Sequence, residues 1–234
     1  MYKIIAKILA GRLSNVIDKI ISPNQGAFIR GRWIVKNTVI AQEIVHKIHS
    51  HKGKKGLMLI NIDLKKVFDR MEWGFIDNIG GSFSPERGLR QGDPLSPILI
   101  ILCSEILSRV LSKEEEQDRL HGIKAARNIP AISHLMYADD LLIMCQVDSL
   151  EAAVVNECLN KFCSWSGQAL NMEKSSIFFS KTTKHQDKKL IREVLSFKDM
   201  GSKAIYLGNS LVFGNNKTKE FYNLKEKIKS RLEG

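Results

Sequence analysis

Two adjacent carboxylates, Asp139 and Asp140, lie between two short apolar segments of this 234-residue chain. Segments 132–137 and 141–145 are apolar enough to be the strands of a buried hairpin. Two ionised Asp side chains there repel each other and lose hydration, a cost that a bound cation relieves. Because Mg²⁺ prefers oxygen ligands and shares them with substrate phosphates, the pair indicates a two-metal phosphoryl-transfer site. A plain polar hairpin turn is the alternative at this point, since Asp is a common turn residue.

A second source of carboxylate is Asp63, which ends the short apolar segment 57–62. A strand that pairs beside the hairpin would bring Asp63 within reach of Asp139. A nucleotide polymerase needs this geometry, because carboxylates from two neighbouring strands bridge two metal ions. One ion activates the primer 3′-hydroxyl and the other holds the incoming triphosphate. Asp63 therefore favours nucleotidyl transfer over a plain turn.

The net charge of +11 is distributed unevenly along the chain. Residues 1–60 carry +9, residues 61–150 carry −4 and residues 151–234 carry +6. An acidic middle that contains the candidate metal site is therefore flanked by basic segments. Basic flanks suit a polyanion, because phosphate contacts provide affinity that is independent of sequence. For the C-terminal third, a solvated surface rich in Lys explains the charge equally well.

Composition excludes several classes of protein. The sequence has no signal peptide, and its longest apolar run, 98–103, is far shorter than the ~20 residues of a membrane helix. The four cysteines have no CxxC spacing and lie mostly in apolar segments, which predicts reduced thiols and no zinc site. We therefore expect a cytoplasmic or nuclear protein that is not secreted and has no membrane partner.

Periodicity and end signals predict the elements that must position these carboxylates. Helices are expected at 2–21, 34–49, 95–112, 149–165, 182–196 and 218–232. Strands are expected at the Asp63 segment, on both sides of the Asp pair, at 175–180 and at 205–212. Asp148 with Glu151 predicts the start of the 149–165 helix, and Gly167 its end. The central order of strand, helix, strand, strand, helix, strand is the split βαββαβ pattern of an α+β fold.

Three segments of the chain resemble successive motifs of reverse transcriptases: 63–73, 87–97 and Tyr137-Ala138-Asp139-Asp140. The sequence is most similar to the LINE-type (non-LTR) retrotransposon group, particularly to copies in plant genomes. The similarity continues upstream in 22–32 and downstream in 170–175 and 206–208. Segment 87–97 is the most specific of these matches.

The resemblance implies an RNA-directed DNA polymerase, with an RNA template, a DNA primer and deoxynucleoside triphosphates as its partners. It implies a polymerase palm at 57–181, a split antiparallel sheet with helices on one face. Partial helical fingers are expected at 1–56, and a primer-grip or thumb-like segment at 182–234. The implied cofactor is a pair of Mg²⁺ ions, which Mn²⁺ can replace, held by Asp63 and Asp139 with Asp140 in support.

Phe68 lies five residues after Asp63, where polymerases that make DNA resemble one another in placing an aromatic ring. A rigid ring under the sugar would clash with a 2′-hydroxyl, whereas RNA-making viral polymerases tend to offer a polar residue there. The resemblance therefore implies a DNA-making enzyme. A Phe that simply packs in the core explains this residue equally well on its own.

Other binding roles also follow from the resemblance. The incoming nucleotide is expected against Arg87, Gln91 and Gly92, in a loop whose glycines let the backbone approach closely before a helix N-terminus. Lys174 is expected to act as a general acid toward pyrophosphate, although a lone Lys is more often just exposed. The expected nucleic-acid contacts are Arg30 and Arg32 in the fingers and Tyr206, Leu207 and Gly208 in the primer grip.

The sequence also departs from the family. We expect the basic strand that clamps the triphosphate in relatives to be missing, because the similarity begins at Met1, and only thirteen residues separate Trp73 from Arg87. Lys36 stands where relatives usually have Asp. We therefore expect a truncated copy with impaired activity. The alternatives are a non-catalytic remnant that binds nucleic acid, a related polymerase such as an intron maturase, and a product that does not fold.

Overall fold

The computed structural model describes residues 2–65, 67–71, 88–90, 92–201 and 204–211, and then positions 222, 225–226 and 229–232. Helices in this part of the chain span Tyr2–Leu13 (α1), Ile17–Ile20 (α2), Ile34–Ser50 (α3), Val67–Arg70 (α4), Ser96–Glu116 (α5), Ser149–Ser166 (α6) and His185–Leu195 (α7). The strands are Leu57–Ile62 (β1), His134–Tyr137 (β2), Asp140–Gln146 (β3), Ser176–Phe179 (β4), Lys198–Asp199 (β5), Ile205–Tyr206 (β6) and Asn209–Ser210 (β7). The predicted 218–232 helix falls largely outside the described residues.

Five strands form one sheet in the order β2-β3-β1-β4-β5. The three pairs β2–β3, β3–β1 and β1–β4 are antiparallel, as expected, and β1 lies between β3 and β4. The fifth strand departs from the expected antiparallel sheet, because β5 pairs with β4 in parallel. Helix α7 follows β4 and precedes β5 along the chain, and it returns the chain to the end of the sheet where β4 begins. Such a crossover is what parallel neighbouring strands require.

One face of the sheet packs against helices α5, α6 and α7. The alternating positions Met58, Ile60 and Ile62 of β1 lie on this face with Leu141 and Ile143 of β3. The helices contribute Leu107, Leu111, Ala152, Val155, Leu159, Phe162, Ile191 and Leu195 to the same core.

The opposite face is also covered, whereas we expected helices on one face only. Helix α3 packs there through Ile44 and Ile48 against Leu59 of β1 and Met144 of β3. The short β6–β7 hairpin joins this second core through the buried Tyr206. The reason lies in β1 and β3, whose alternating positions are apolar on both sides, so each face must be shielded from water.

The ends of the helices show how local sequence sets the elements. Asp148 caps α6, since its Oδ1 accepts a hydrogen bond from the Leu150 amide at 2.8 Å. Gly167 ends the same helix in the left-handed conformation, with φ of 70°. The helix predicted at 2–21 is interrupted after Leu13, where the Ser14 hydroxyl donates to the Ala10 carbonyl.

The structure shows the state of the cysteines and the character of the helices. All four cysteines are free, and Cys103, Cys145 and Cys158 are buried. Burial raises the pKa of the Cys158 thiol to about 11, so this thiol stays protonated and unreactive. Among the helices that the structure describes, none is long and apolar enough to cross a membrane.

Candidate active site

Asp63 and Asp140 meet at the same end of two paired strands. Strand β1 pairs with β3 in a register that places Ile62 opposite Leu141. The next residues along this register are Asp63 and Asp140, so these two lie across from each other on the same face of the sheet. The expected approach of Asp63 to the hairpin is therefore present, with Asp140 as its direct neighbour.

Asp140 is half-buried, and its surroundings disfavour its negative charge. Burial raises the pKa of its carboxyl from 3.8 to about 6, and the charges of Asp139 and Asp63 raise it further in the same direction. A divalent cation would relieve this repulsion, and carboxylate oxygens are the donors that hard cations prefer. The residues present therefore fit a hard divalent cation. Within the described residues no group of three or more His, Cys, Asp and Glu is arranged to hold a metal, so a cation here would need further ligands from substrate or water.

Asp139 takes a different position from its neighbour. It is exposed in the two-residue turn between β2 and β3, and it lines a separate small cavity of about 10 Å³ beside Leu64 and Ser104. We expected Asp139 to lead and Asp140 to support. Asp140 lies next to Asp63 because it is the first residue of β3, whereas Asp139 precedes the strand, and the roles of the two as metal ligands stay a prediction.

The turn itself is conformationally demanding. Ala138 has φ of 56°, in the left-handed region that residues other than glycine rarely adopt. Its amide donates a hydrogen bond at 3.0 Å to the Oε1 of Gln25, a residue with no exposed surface. Our reading of the sequence included Gln25 in a similar segment but assigned it no role.

The backbone and carboxylate of Asp63 are held by the 170–175 loop. The Nδ2 of Asn171 donates to Oδ2 of Asp63 at 2.8 Å, and the Asn171 amide donates to the Asp63 carbonyl. The Asp63 amide donates in turn to Oγ of Ser175 at 3.1 Å. Sequence reasoning missed both partners, although the 170–175 resemblance was the signal that could have found them.

A cleft of about 460 Å³ opens in front of Asp63 and Asp140. This volume lies in the range of small-ligand sites and suits a nucleotide. Two cationic side chains, Lys174 and Lys198, line the same cleft. The structure thus brings the predicted Lys174 into the same cleft as both carboxylates. Glu173 and Asp199 also line this cleft, so a negatively charged ligand there would need a bound cation as well as the two Lys side chains.

The chain is similar to known proteins over most of its length. The family model described as reverse transcriptase (RNA-dependent DNA polymerase) matches residues 1–208. The chain belongs to this family. The predicted LINE-type, non-LTR retrotransposon group is confirmed, and reverse transcriptases generally use divalent metal ions.

Three relatives show how the similarity is distributed. An uncharacterized mitochondrial protein of Arabidopsis thaliana is 57% identical over 60 residues, which cover 26% of this chain and 49% of that protein. The retrovirus-related Pol polyprotein from the type-2 retrotransposable element R2DM of Drosophila melanogaster is 29% identical over 71% of this chain and 18% of its own length. The transposon TX1 uncharacterized 149 kDa protein of Xenopus laevis is 27% identical over 75% of this chain and 15% of its own length. The chain therefore spans less than half the length of each of these relatives.

The two arginines predicted to contact nucleic acid differ in exposure and in hydrogen bonding. Arg30 is exposed. The guanidinium of Arg32 donates to the backbone carbonyls of Ile21, Ser22 and Gln25, so Arg32 holds its own loop together, and its contact with template phosphate stays a prediction.

The predicted primer-grip residues form the β6–β7 turn. Leu207 and Gly208 are both left-handed, with φ of 49° and 78°, as a tight two-residue hairpin requires. Tyr206 is buried and burial raises the pKa of its phenol, so its side chain belongs to the core instead of the surface we expected to contact nucleic acid.

The predicted nucleotide loop is described only in part. Gly92 is exposed with φ of 83°, a conformation that favours glycine. Arg87, Gln91 and the side chain of Phe68 lie outside the described residues, and so does the short connection between Trp73 and Arg87.

Proposed function

We propose that this chain is the core of an RNA-directed DNA polymerase, which adds deoxynucleotides to the 3′-hydroxyl of a primer on an RNA template. One observation carries the proposal: Asp63 and Asp140 face each other across β1 and β3 at a nucleotide-sized cleft, in a chain of the reverse transcriptase family. Carboxylates from two adjacent strands are the arrangement that metal-assisted phosphoryl transfer needs.

The cofactor in this proposal is a pair of Mg²⁺ ions, or Mn²⁺ in their place. Asp63 and Asp140 would hold them, and Asp139 in the adjoining turn is the third carboxylate of the proposed set. When bound, such ions activate the attacking hydroxyl and neutralise the charge of the triphosphate. The raised pKa of Asp140, caused first by burial and then by Asp139 and Asp63, supports a cation there, because the carboxylates alone repel one another.

The proposal also assigns roles to Lys174 and to four residues expected to contact the incoming nucleotide. Lys174 would balance the charge of the leaving pyrophosphate from the cleft wall, as its position beside both carboxylates allows. Phe68, Arg87, Gln91 and Gly92 keep their proposed contacts with the incoming nucleotide on the strength of the family resemblance.

The domain assignment is part of the same proposal. Residues 57–181 would be the palm, and the chain order β1-α4-α5-β2-β3-α6-β4 of the described elements with the strand order β2-β3-β1-β4 supports this. Residues 1–56 would be partial fingers with Arg30 toward the template, and residues 182–234 the primer grip and the start of the thumb. The RNA template and DNA primer would bind the basic segments through their phosphates.

Extension of a DNA primer on an RNA template in Mg²⁺ or Mn²⁺ tests the proposal. We expect the wild type to extend the primer and Asp140→Asn to be slower by roughly a hundredfold or more, since it removes charge that acts on the reacting groups. Glu157→Gln is the matched control, because Glu157 is an exposed carboxylate on α6 paired with Lys161 outside the cleft. Equal rates for wild type and Asp140→Asn would contradict the proposed site.

A non-catalytic remnant that binds nucleic acid is the second candidate, and the charge of +9 in residues 1–60 favours it. A folded wild type that binds RNA in a salt-sensitive manner and never extends a primer would establish this alternative.

A further inference from the structure

The N-terminal segment 22–27 docks on the outer edge of strand β2, which leads directly into the carboxylate turn. The Gly26 amide donates to the Met136 carbonyl, and the Met136 amide donates to the Asn24 carbonyl, both at 2.8 Å. These bonds form a parallel bridge between Gln25 and Met136. The edge of the sheet beside the turn is therefore paired with a segment from a distant part of the chain.

The side chains of the same segment are also anchored in the core. Asn24 and Ser108 both lie within hydrogen-bond distance of Nε2 of His134, at 2.9 and 2.7 Å, and His134 is fully buried in β2. Burial lowers the pKa of His134 to about 4, so the imidazole is neutral at physiological pH, and its tautomer sets which of these bonds Nε2 accepts or donates. The docking of segment 22–27 is thus a fixed feature of the fold.

Gln25 connects this docked segment to the turn. Its Oε1 accepts hydrogen bonds from the amides of Ala27 and Ala138, each at 3.0 Å, and its Nε2 donates to Oγ of Ser104 at 3.1 Å. With no exposed surface, the carboxamide cannot exchange these partners for water. The Ala138 amide therefore depends on one buried oxygen atom.

We propose that Gln25 is a positioning residue of the active site, whose carboxamide oxygen holds the turn that sets Asp139 and Asp140 against Asp63. This inference rests on the proposed function. Ala138 adopts an unfavourable left-handed conformation, which persists only where the surroundings hold it. Without the acceptor, the turn loses one of the contacts that oppose its relaxation, and Asp139 and Asp140 lose their fixed position relative to Asp63.

The chemistry of the site explains why an amide suits this position. A methionine has similar length but offers no comparable acceptor, so it would leave the Ala138 amide unsatisfied. A glutamate would keep an oxygen acceptor but would add a buried charge next to the turn that carries Asp139 and Asp140. Glutamine is neutral, and it supplies the acceptor together with a donor for Ser104.

The test compares Gln25→Met with Ser22→Ala, a control in the same segment. Ser22→Ala removes the Ser22–Ser108 hydrogen bond of 2.8 Å and leaves the turn untouched. For Gln25→Met we expect hydrogen exchange of the Ala138 amide to accelerate about tenfold and Mn²⁺ affinity, measured by electron paramagnetic resonance, to fall about tenfold. Ser22→Ala should change neither quantity, and a folded Gln25→Met with wild-type exchange and Mn²⁺ affinity would overturn the inference.

Two further results keep the outcome unambiguous. If Gln25→Met does not fold, Ser104→Ala decides instead, because it frees the carboxamide to rotate and should accelerate Ala138 exchange about threefold. Unchanged exchange in Ser104→Ala would then overturn the inference. Failure of the wild type to extend a primer would remove the proposed function, while the Mn²⁺ and exchange measurements would still judge the role of Gln25.

Discussion

At the scale of single residues, Asp140 differs from Asp139 in three respects. It is half-buried, it belongs to a strand, and it lies opposite Asp63 in the register of β1 and β3. Its raised pKa has burial as the first cause and the charges of Asp139 and Asp63 as the next. The sequence motif does not distinguish the two aspartates. The strand register does, because it places Asp140 opposite Asp63 and leaves Asp139 in the turn.

The titration of Asp140 predicts a pH-dependent effect on stability without metal. Because its pKa rises from 3.8 to about 6 in the folded state, the folded protein binds the proton more tightly than the unfolded chain. The stability that this proton contributes is present below pH 4 and is lost as the pH rises through about 6. We expect Asp140→Asn to melt at a higher temperature than wild type at pH 7 and at the same temperature below pH 4.

Thermal melts of both proteins with a metal chelator measure this difference, and Glu157→Gln again serves as the surface control. An offset between Asp140→Asn and wild type that is the same at acid and neutral pH would show that the charge of Asp140 is not the cause.

At the scale of elements, loops outside the sheet hold the groups of the site. Asn171 and Ser175 belong to the loop before β4, and both bond to Asp63. Gln25 belongs to the N-terminal segment and bonds to the turn before β3. The β6–β7 hairpin packs on the face opposite the main helices through Tyr206.

The β6–β7 turn offers a sharp test of its conformation. Gly208 has φ of 78°, and a Cβ there would meet no atom within 4 Å. Gly208→Ala should therefore destabilise the protein only through backbone strain, by about 1–2 kcal/mol in the free energy of unfolding. Gly201→Ala is the matched control, because that position is equally open and no left-handed φ is recorded there.

Urea denaturation of the two variants measures the strain. Equal stabilities for Gly208→Ala and Gly201→Ala would show that the turn relaxes into another conformation without cost.

At the scale of the whole molecule, Lys side chains lie at different distances from the cleft. Lys174 and Lys198 line the cleft, whereas Lys52 and Lys54 precede the opposite end of β1 from Asp63. A strand of this length spans about 20 Å. A nucleic acid seated at the carboxylates would therefore contact the first pair more closely than the second.

We expect the double variant Lys174→Gln, Lys198→Gln to bind RNA more weakly. The slope of log affinity against log salt concentration should become shallower by about one to two, the value for the loss of one to two phosphate contacts. The double variant Lys52→Gln, Lys54→Gln changes the net charge equally and should have a much smaller effect. Fluorescence anisotropy of a labelled RNA over a range of salt concentrations measures both quantities. Equal losses in the two variants would mean that affinity follows net charge instead of the cleft.

Much of the architecture was predictable because it depends on local patterns. Helices at 34–49, 95–112 and 149–165 were expected within a few residues of α3, α5 and α6, since apolar periodicity, Pro and capping residues act over one or two turns. The interruption after Leu13 was missed, because a serine that bonds back to its own helix leaves no trace in the periodicity.

By itself, the sequence determined the reverse-transcriptase family, the pair of acidic segments that carries its chemistry, and the order of the central strands and helices. Three features appear only in the folded chain: the position of Asp140 opposite Asp63, the hydrogen bonds of Arg32 within its own loop, and the contacts of Gln25 and Asn171 with the site. The physical reason is distance along the chain. Gln25 and Ala138 are separated by 113 positions, and a hydrogen bond between them depends on how the strands pair and how the N-terminal segment docks on β2.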